Sequence, residues 1–97
     1  MRTLPYRYYV HDNKNNVGVT EFSTQIPEVF NECLIDILNW LMWESLDTLD
    51  YKVFAFVDGR EINFTFGFDE DVQMYTRVNG NTIVYRNDIG DYIKSVF

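Results

Sequence analysis

The sequence predicts an α+β fold: one antiparallel sheet of about six strands in the order ββ-α-ββββ-α, a long helix packed on one face, and a short C-terminal helix. Three observations predict it. Apolar residues recur at helical spacing from residue 26 to about residue 43, they alternate with polar ones through residues 62–68 and 72–78, and Asp58-Gly59 and Asn79-Gly80 punctuate the alternating runs. At 97 residues the chain is read as a single domain, residues 1–97, with room for one core but not for a core plus an elaborate cleft.

Each element has a local reason. Residues 6–11 and 17–22 are β-rich runs separated by "DNKNN", whose Asp and Asn residues favour tight turns, so they form a hairpin. Ser23 or Thr24 caps the next helix, with Pro27 in its first turn and Glu28 placed to meet the helix dipole. Residues 51–57 are apolar on both faces, as a central strand is. The Asp-Gly turn returns the chain through Ile62, Phe64, Phe66 and Phe68, a ladder expected to meet the helix, and Val72, Met74, Thr76 and Val78 repeat the pattern before the Asn-Gly turn. Asp88 caps the last helix, which carries Ile89, Tyr92, Ile93 and Val96.

Composition narrows the function. Net charge is -7, which disfavours direct binding to nucleic acid or to an anionic membrane, since both need Lys and Arg to neutralise phosphate. A basic partner is expected instead. No run approaches the length of a membrane span, the first residues lack the apolar core of a signal peptide, and Cys33 is the only cysteine. A cytoplasmic protein without a disulfide is expected. One Ala against nine Asn is a usage common in AT-rich genomes and in phage genes.

The long helix carries the sharpest signal. From Glu21 to Asp50 there are seven acids and no Lys or Arg, although alternating signs at i,i+4 would stabilise a helix and like charges there oppose it. On a helical wheel Val29, Phe30, Cys33, Leu34, Ile37, Leu38, Trp40 and Leu41 form the core stripe. Glu28, Glu32, Asp36 and Asn39 lie opposite, Ile35 and Trp43 project among them, and Met42 falls at the edge. Glu44 would fall on the apolar face, so the helix is expected to end near Trp43, with "ESLDTLD" as a separate turn that sets Asp47 and Asp50 beside the acidic ridge or just beyond it. A solvated helix face explains such a ridge as well as a contact surface does. Exposed Trp and repeated like charges favour the contact surface.

Other motifs point to no chemistry. Asp69, Glu70 and Asp71 resemble a calcium loop only at its start, because the sixth position, which needs Gly, is Met74. One His and one Cys cannot supply a zinc spacing, the glycines are scattered, and His11 beside Asp12 has no nucleophile to serve. Tyr6, Tyr8 and Tyr9 around Arg7 are read as cross-strand packing rather than as a base-stacking platform. No catalytic residue, metal or cofactor is therefore expected.

The expected function is non-enzymatic: an inhibitor that binds a basic protein, such as a nucleic-acid-binding enzyme, through Glu28, Glu32, Ile35, Asp36, Asn39, Trp43, Glu44, Asp47 and Asp50. Carboxylates would stand where phosphates lie, with Ile35 and Trp43 as apolar anchors. Small acidic antagonists of host defence encoded by phages, of anti-CRISPR or anti-restriction type, have this size and composition and would act in the host cytoplasm. An immunity protein or chaperone masking a basic toxin uses the same physics. A homodimer burying Ile35, Met42 and Trp43 is the third reading.

Overall fold

The computed structural model describes residues 5–43 and 46–96. Its elements are β1 (Tyr6–Asp12), β2 (Val17–Thr24), α1 (Pro27–Trp43), a short 3-10 turn (Leu46–Asp50), β3 (Tyr51–Val57), β4 (Arg60–Phe68), β5 (Met74–Val78), β6 (Thr82–Tyr85) and α2 (Ile89–Val96). The fold is α+β, with six antiparallel strands in one sheet, ordered β2-β1-β3-β4-β5-β6.

Turn chemistry sets the pairing. Asp58 and Gly59 have φ of 49° and 84°, and Asn79 and Gly80 have 51° and 79°, so the two-residue β3–β4 loop and the three-residue β5–β6 loop both use consecutive left-handed residues. That twist matches the flanking strands, and Gly reaches it without steric cost. At the β1–β2 turn the Asp12 carboxylate accepts the Lys14 and Asn15 backbone N–H groups and the Asn15 side-chain amide. The Asn15 side chain, ahead of the backbone bonds, holds the Asp12 pKa below its ordinary value.

One apolar cluster joins the inner sheet face to both helices. Val10, Val53, Ala55, Phe64, Phe66, Met74 and Val78 of the strands meet Phe30, Leu34, Leu38 and Leu41 of α1 and Ile89 and Ile93 of α2. The phenylalanine ladder of β4 thus belongs to the same core as α1. Phe30, fully buried in the first turn of α1, lies 5.6 Å from the Tyr6 ring and 6.2 Å from that of Tyr8. Thr24 Oγ1 accepts the Ile26 N–H just before this turn, and Phe30 N–H bonds back to the Ile26 carbonyl.

The buried stripe of α1 differs from the wheel in its orientation. Met42, expected at the edge, is buried, whereas Val29 and Trp40, expected inside, are exposed. The cause is α2. Ile35, expected to project among the acids, instead packs partly buried against the core, and a Cβ added at Gly90 of α2 would lie 3.9 Å from its Cγ2. A second helix on the Ile35 flank turns the centre of burial toward that side and lifts Val29 and Trp40 into solvent.

The second difference concerns Val72. The alternating pattern places it in a strand, but β5 begins at Met74, and Val72 has φ of 61° with 75% of its surface exposed.

Candidate functional site

Seven residues of α1 face away from the core within an arc of about 120°: Glu28, Asn39, Glu32, Trp43, Asp36, Val29 and Trp40. The carboxylates Glu28, Glu32 and Asp36 and both tryptophans are exposed, Trp40 by 50% and Trp43 by 69%, and Asn39 is partly exposed. This is the ridge read from the sequence, with two aromatic rings rather than one.

Beside the ridge runs a groove of about 370 Å³, lined by Tyr8, Cys33, Asp36, Ile37 and Trp40. Its floor is apolar and its rim carries a carboxylate. Burial, then the neighbouring Cys33 and Asp36, push the Tyr8 hydroxyl above its ordinary pKa. A Lys or Arg side chain suits such a groove, since its methylenes can lie along Ile37 and the Trp40 ring while its charge meets Asp36.

At the C-terminal end of α1 the cation missing from its sequence arrives from elsewhere. The Arg86 guanidinium, between β6 and α2, lies 3.4 Å from the Trp43 ring centroid. It covers part of one ring face and brings positive charge to the end of the helix where the dipole favours it. Met42, Trp43, Val72, Tyr85 and Arg86 line a hollow of about 300 Å³ there.

Val72 reaches this hollow because Asp69 ties the loop. One Asp69 carboxylate oxygen accepts the Asp71 and Gln73 N–H groups, both at 2.9 Å, and the other accepts the Tyr85 hydroxyl at 2.9 Å. The Val72 N–H donates to the Asp69 carbonyl. The Gln73 bond leads in lowering the Asp69 pKa, and the bond to Asp69 leads in raising that of Tyr85. Four bonds on five residues leave Val72 in the left-handed region, which a β-branched residue resists. Val72→Gly is expected to stabilise the protein by about 1 kcal/mol, the relief of left-handed strain less the entropy of Gly. Thermal denaturation should show Tm rising by about 4–8 °C; an unchanged or lower Tm would mean that Val72 carries no net strain.

Asp50 and Ile35 do not line the Tyr8–Trp40 groove. Asp50 ends the 3-10 turn just ahead of β3; its carbonyl accepts the Asn13 N–H at 2.9 Å, and it lines a small cavity with Asp12, Lys14 and Tyr51. Asp47 lies in the 3-10 turn, and Glu44 falls outside the described residues. Ile35 is partly covered by the core, so it is a poor anchor for a partner. Sequence reasoning missed Trp40, Val72 and Arg86 as surface features. Trp40 stood on the edge of the wheel nearest Asp36, and the Asx-turn capacity of Asp69 foreshadowed the loop, but nothing local ties Arg86 to Trp43.

No protein-family model, curated protein or solved structure matches this chain. Among the described residues, no group of three or more His, Cys, Asp or Glu side chains could hold a metal ion, and no helix is long and apolar enough to cross a membrane.

Proposed function

We propose that this chain is a small binding protein that docks the exposed face of α1 onto a basic protein surface and blocks it. The observation that carries the reading is the placement of Trp40 and Trp43, both exposed, among Glu28, Glu32 and Asp36 on a helix face without a cation of its own. Large rings in water are costly unless a partner covers them, and Trp is the residue most enriched among binding hot spots. Row-like negative charge steers a basic surface into contact and selects against acidic ones.

Complementarity narrows the target. A nucleic-acid-binding enzyme offers a groove of Lys and Arg spaced for phosphates, and an inhibitor acting in the same cytoplasm would occupy that groove with Glu28, Glu32 and Asp36. One basic side chain enters the Tyr8–Trp40 groove and meets Asp36 at its rim. The Trp43–Arg86 stack closes the C-terminal end of the contact with an aromatic ring under a cation.

The test compares tagged wild type with Glu32→Lys/Asp36→Lys as bait in nuclease-treated lysate, followed by affinity measurement on the purified target. Wild type is expected to retain a stoichiometric protein with a basic nucleic-acid groove, to release it at high salt, and to compete with its nucleic acid. The variant should fold normally and bind at least about tenfold more weakly, since it sets like charges against each other. Equal capture by wild type and variant would sink the proposal, as would a target that still binds its nucleic acid in the complex.

A further inference from the structure

The opposite face of the sheet carries the reverse pattern. Alternation along β1 and β3 sends Arg7, Tyr9, Lys52, Phe54 and Phe56 away from the helices. Their side chains form one column. Lys52 lies 5.0 Å from the Phe54 ring centroid, Phe54 stacks on Tyr9 at 4.8 Å, Tyr9 on Phe56 at 6.0 Å, and the Arg7 guanidinium lies 4.4 Å from the Phe56 centroid. A cation closes the column at each end.

The stacking fixes what this column can bind. Ring faces occupied by neighbouring rings and by cations are not free for nucleic-acid bases to stack upon, which argues against a single-strand platform. Ring edges, which carry the positive part of the quadrupole, are left to face solvent between two cations. Glu21 of β2 and Glu61 of β4 stand on the same face to either side, opposite Tyr9 and Phe56. An acidic ligand is therefore attracted along the column and repelled from its flanks.

We propose that this face receives α1 of a second copy of the chain. In the β1–β3 register Lys52 stands opposite His11, four residues from Arg7, a separation of about 13 Å along the strands. Glu28 and Asp36 are two turns apart on α1, about 12 Å along its axis. The two spacings match. Glu28 and Asp36 of one copy pair with the cationic ends of the column of the next, while Val29 and Glu32 lie over the ring edges between them and Trp40 falls about one turn beyond Asp36. Such a contact is heterologous, so it leaves a free sheet face on one copy and a free helix face on the other, and assembly continues past two copies unless it closes into a ring. The inference shares the α1 face with the basic target proposed above, so target and neighbouring copy exclude each other, but its readouts require no target.

Sedimentation and light scattering of the full chain across a concentration series at low and high salt provide the test. Wild type is expected to grow in mass with concentration at low salt and to revert toward monomer at high salt. Arg7→Glu/Lys52→Glu and Glu28→Lys/Asp36→Lys should each remain monomeric at concentrations at least about tenfold higher, because each sets like charges face to face. Mixing the two variants restores complementarity at both kinds of contact and should restore assembly. A wild type monomeric throughout, an assembly that stops at a symmetric dimer, or a mixture that stays monomeric would each overturn the proposal. Binding of a labelled oligothymidylate weakened by Arg7→Glu/Lys52→Glu would instead assign the face to nucleic acid and overturn it too. Should the reversed variants lose their circular dichroism, Arg7→Gln/Lys52→Gln makes the same comparison with a smaller change of charge.

Discussion

Phe30→Ala is expected to cost about 3–5 kcal/mol of folding stability, the range for removing a buried aromatic ring from a packed core. The ring has no exposed surface, sits in the first turn of α1 and meets both Tyr6 and Tyr8 of β1. It seats the start of the helix on the N-terminal hairpin, and Leu34 and Leu38 follow it along the same stripe. A domain of this size has about 5–15 kcal/mol in total, so at least about a fifth of its margin would disappear. Chemical denaturation should show the lower stability, and thermal unfolding a fall of at least about 12 °C. A loss under about 1 kcal/mol would mean that α1 is held mainly by its other end, through Leu41 and Met42.

Trp40→Ala/Trp43→Ala should behave in the opposite way. Both rings are mostly in solvent, so the double variant is expected to lose little stability, chiefly the stacking of Arg86 on Trp43, about 0.5–1 kcal/mol. Affinity for the purified target should fall by more than about 2 kcal/mol, roughly thirtyfold or more, as for central aromatic hot spots. Calorimetric titration alongside thermal unfolding separates the two quantities. If stability falls as far as for Phe30→Ala while affinity is kept, the tryptophans belong to the core and the α1 face is not the contact.

Much of the fold was legible because it rests on local rules. Asp58-Gly59 and Asn79-Gly80 admit few backbone solutions, and strict alternation in β4 leaves one choice of inner face. Helix limits at Pro27 and Trp43 follow from the sequence around them. The site was less legible, since it depends on which flank of α1 a distant segment covers. Val29 and Ile35 are equally apolar in sequence, and only the docking of α2 over Ile35 decides that Val29 is the exposed one. Arg86 lies far along the chain from Trp43, and no periodicity connects them. Val72 fitted its strand pattern, and the Asp69 carboxylate overrode that pattern through bonds to the following backbone.

The order β2-β1-β3-β4-β5-β6 has a kinetic consequence. Every neighbouring pair except β1–β3 is consecutive in the chain, so the sheet consists of a two-strand hairpin and a four-strand meander joined at one seam. Strands of the meander meet through short turns and can zip in succession. The seam must instead close a loop that contains all of β2 and α1, and closure entropy grows with loop length. Residues that seat α1 therefore shorten the search for the seam, which makes α1 the tether on which assembly of the sheet waits. Any molecule that grips α1 in the native state also stabilises the joined sheet against parting along β1–β3.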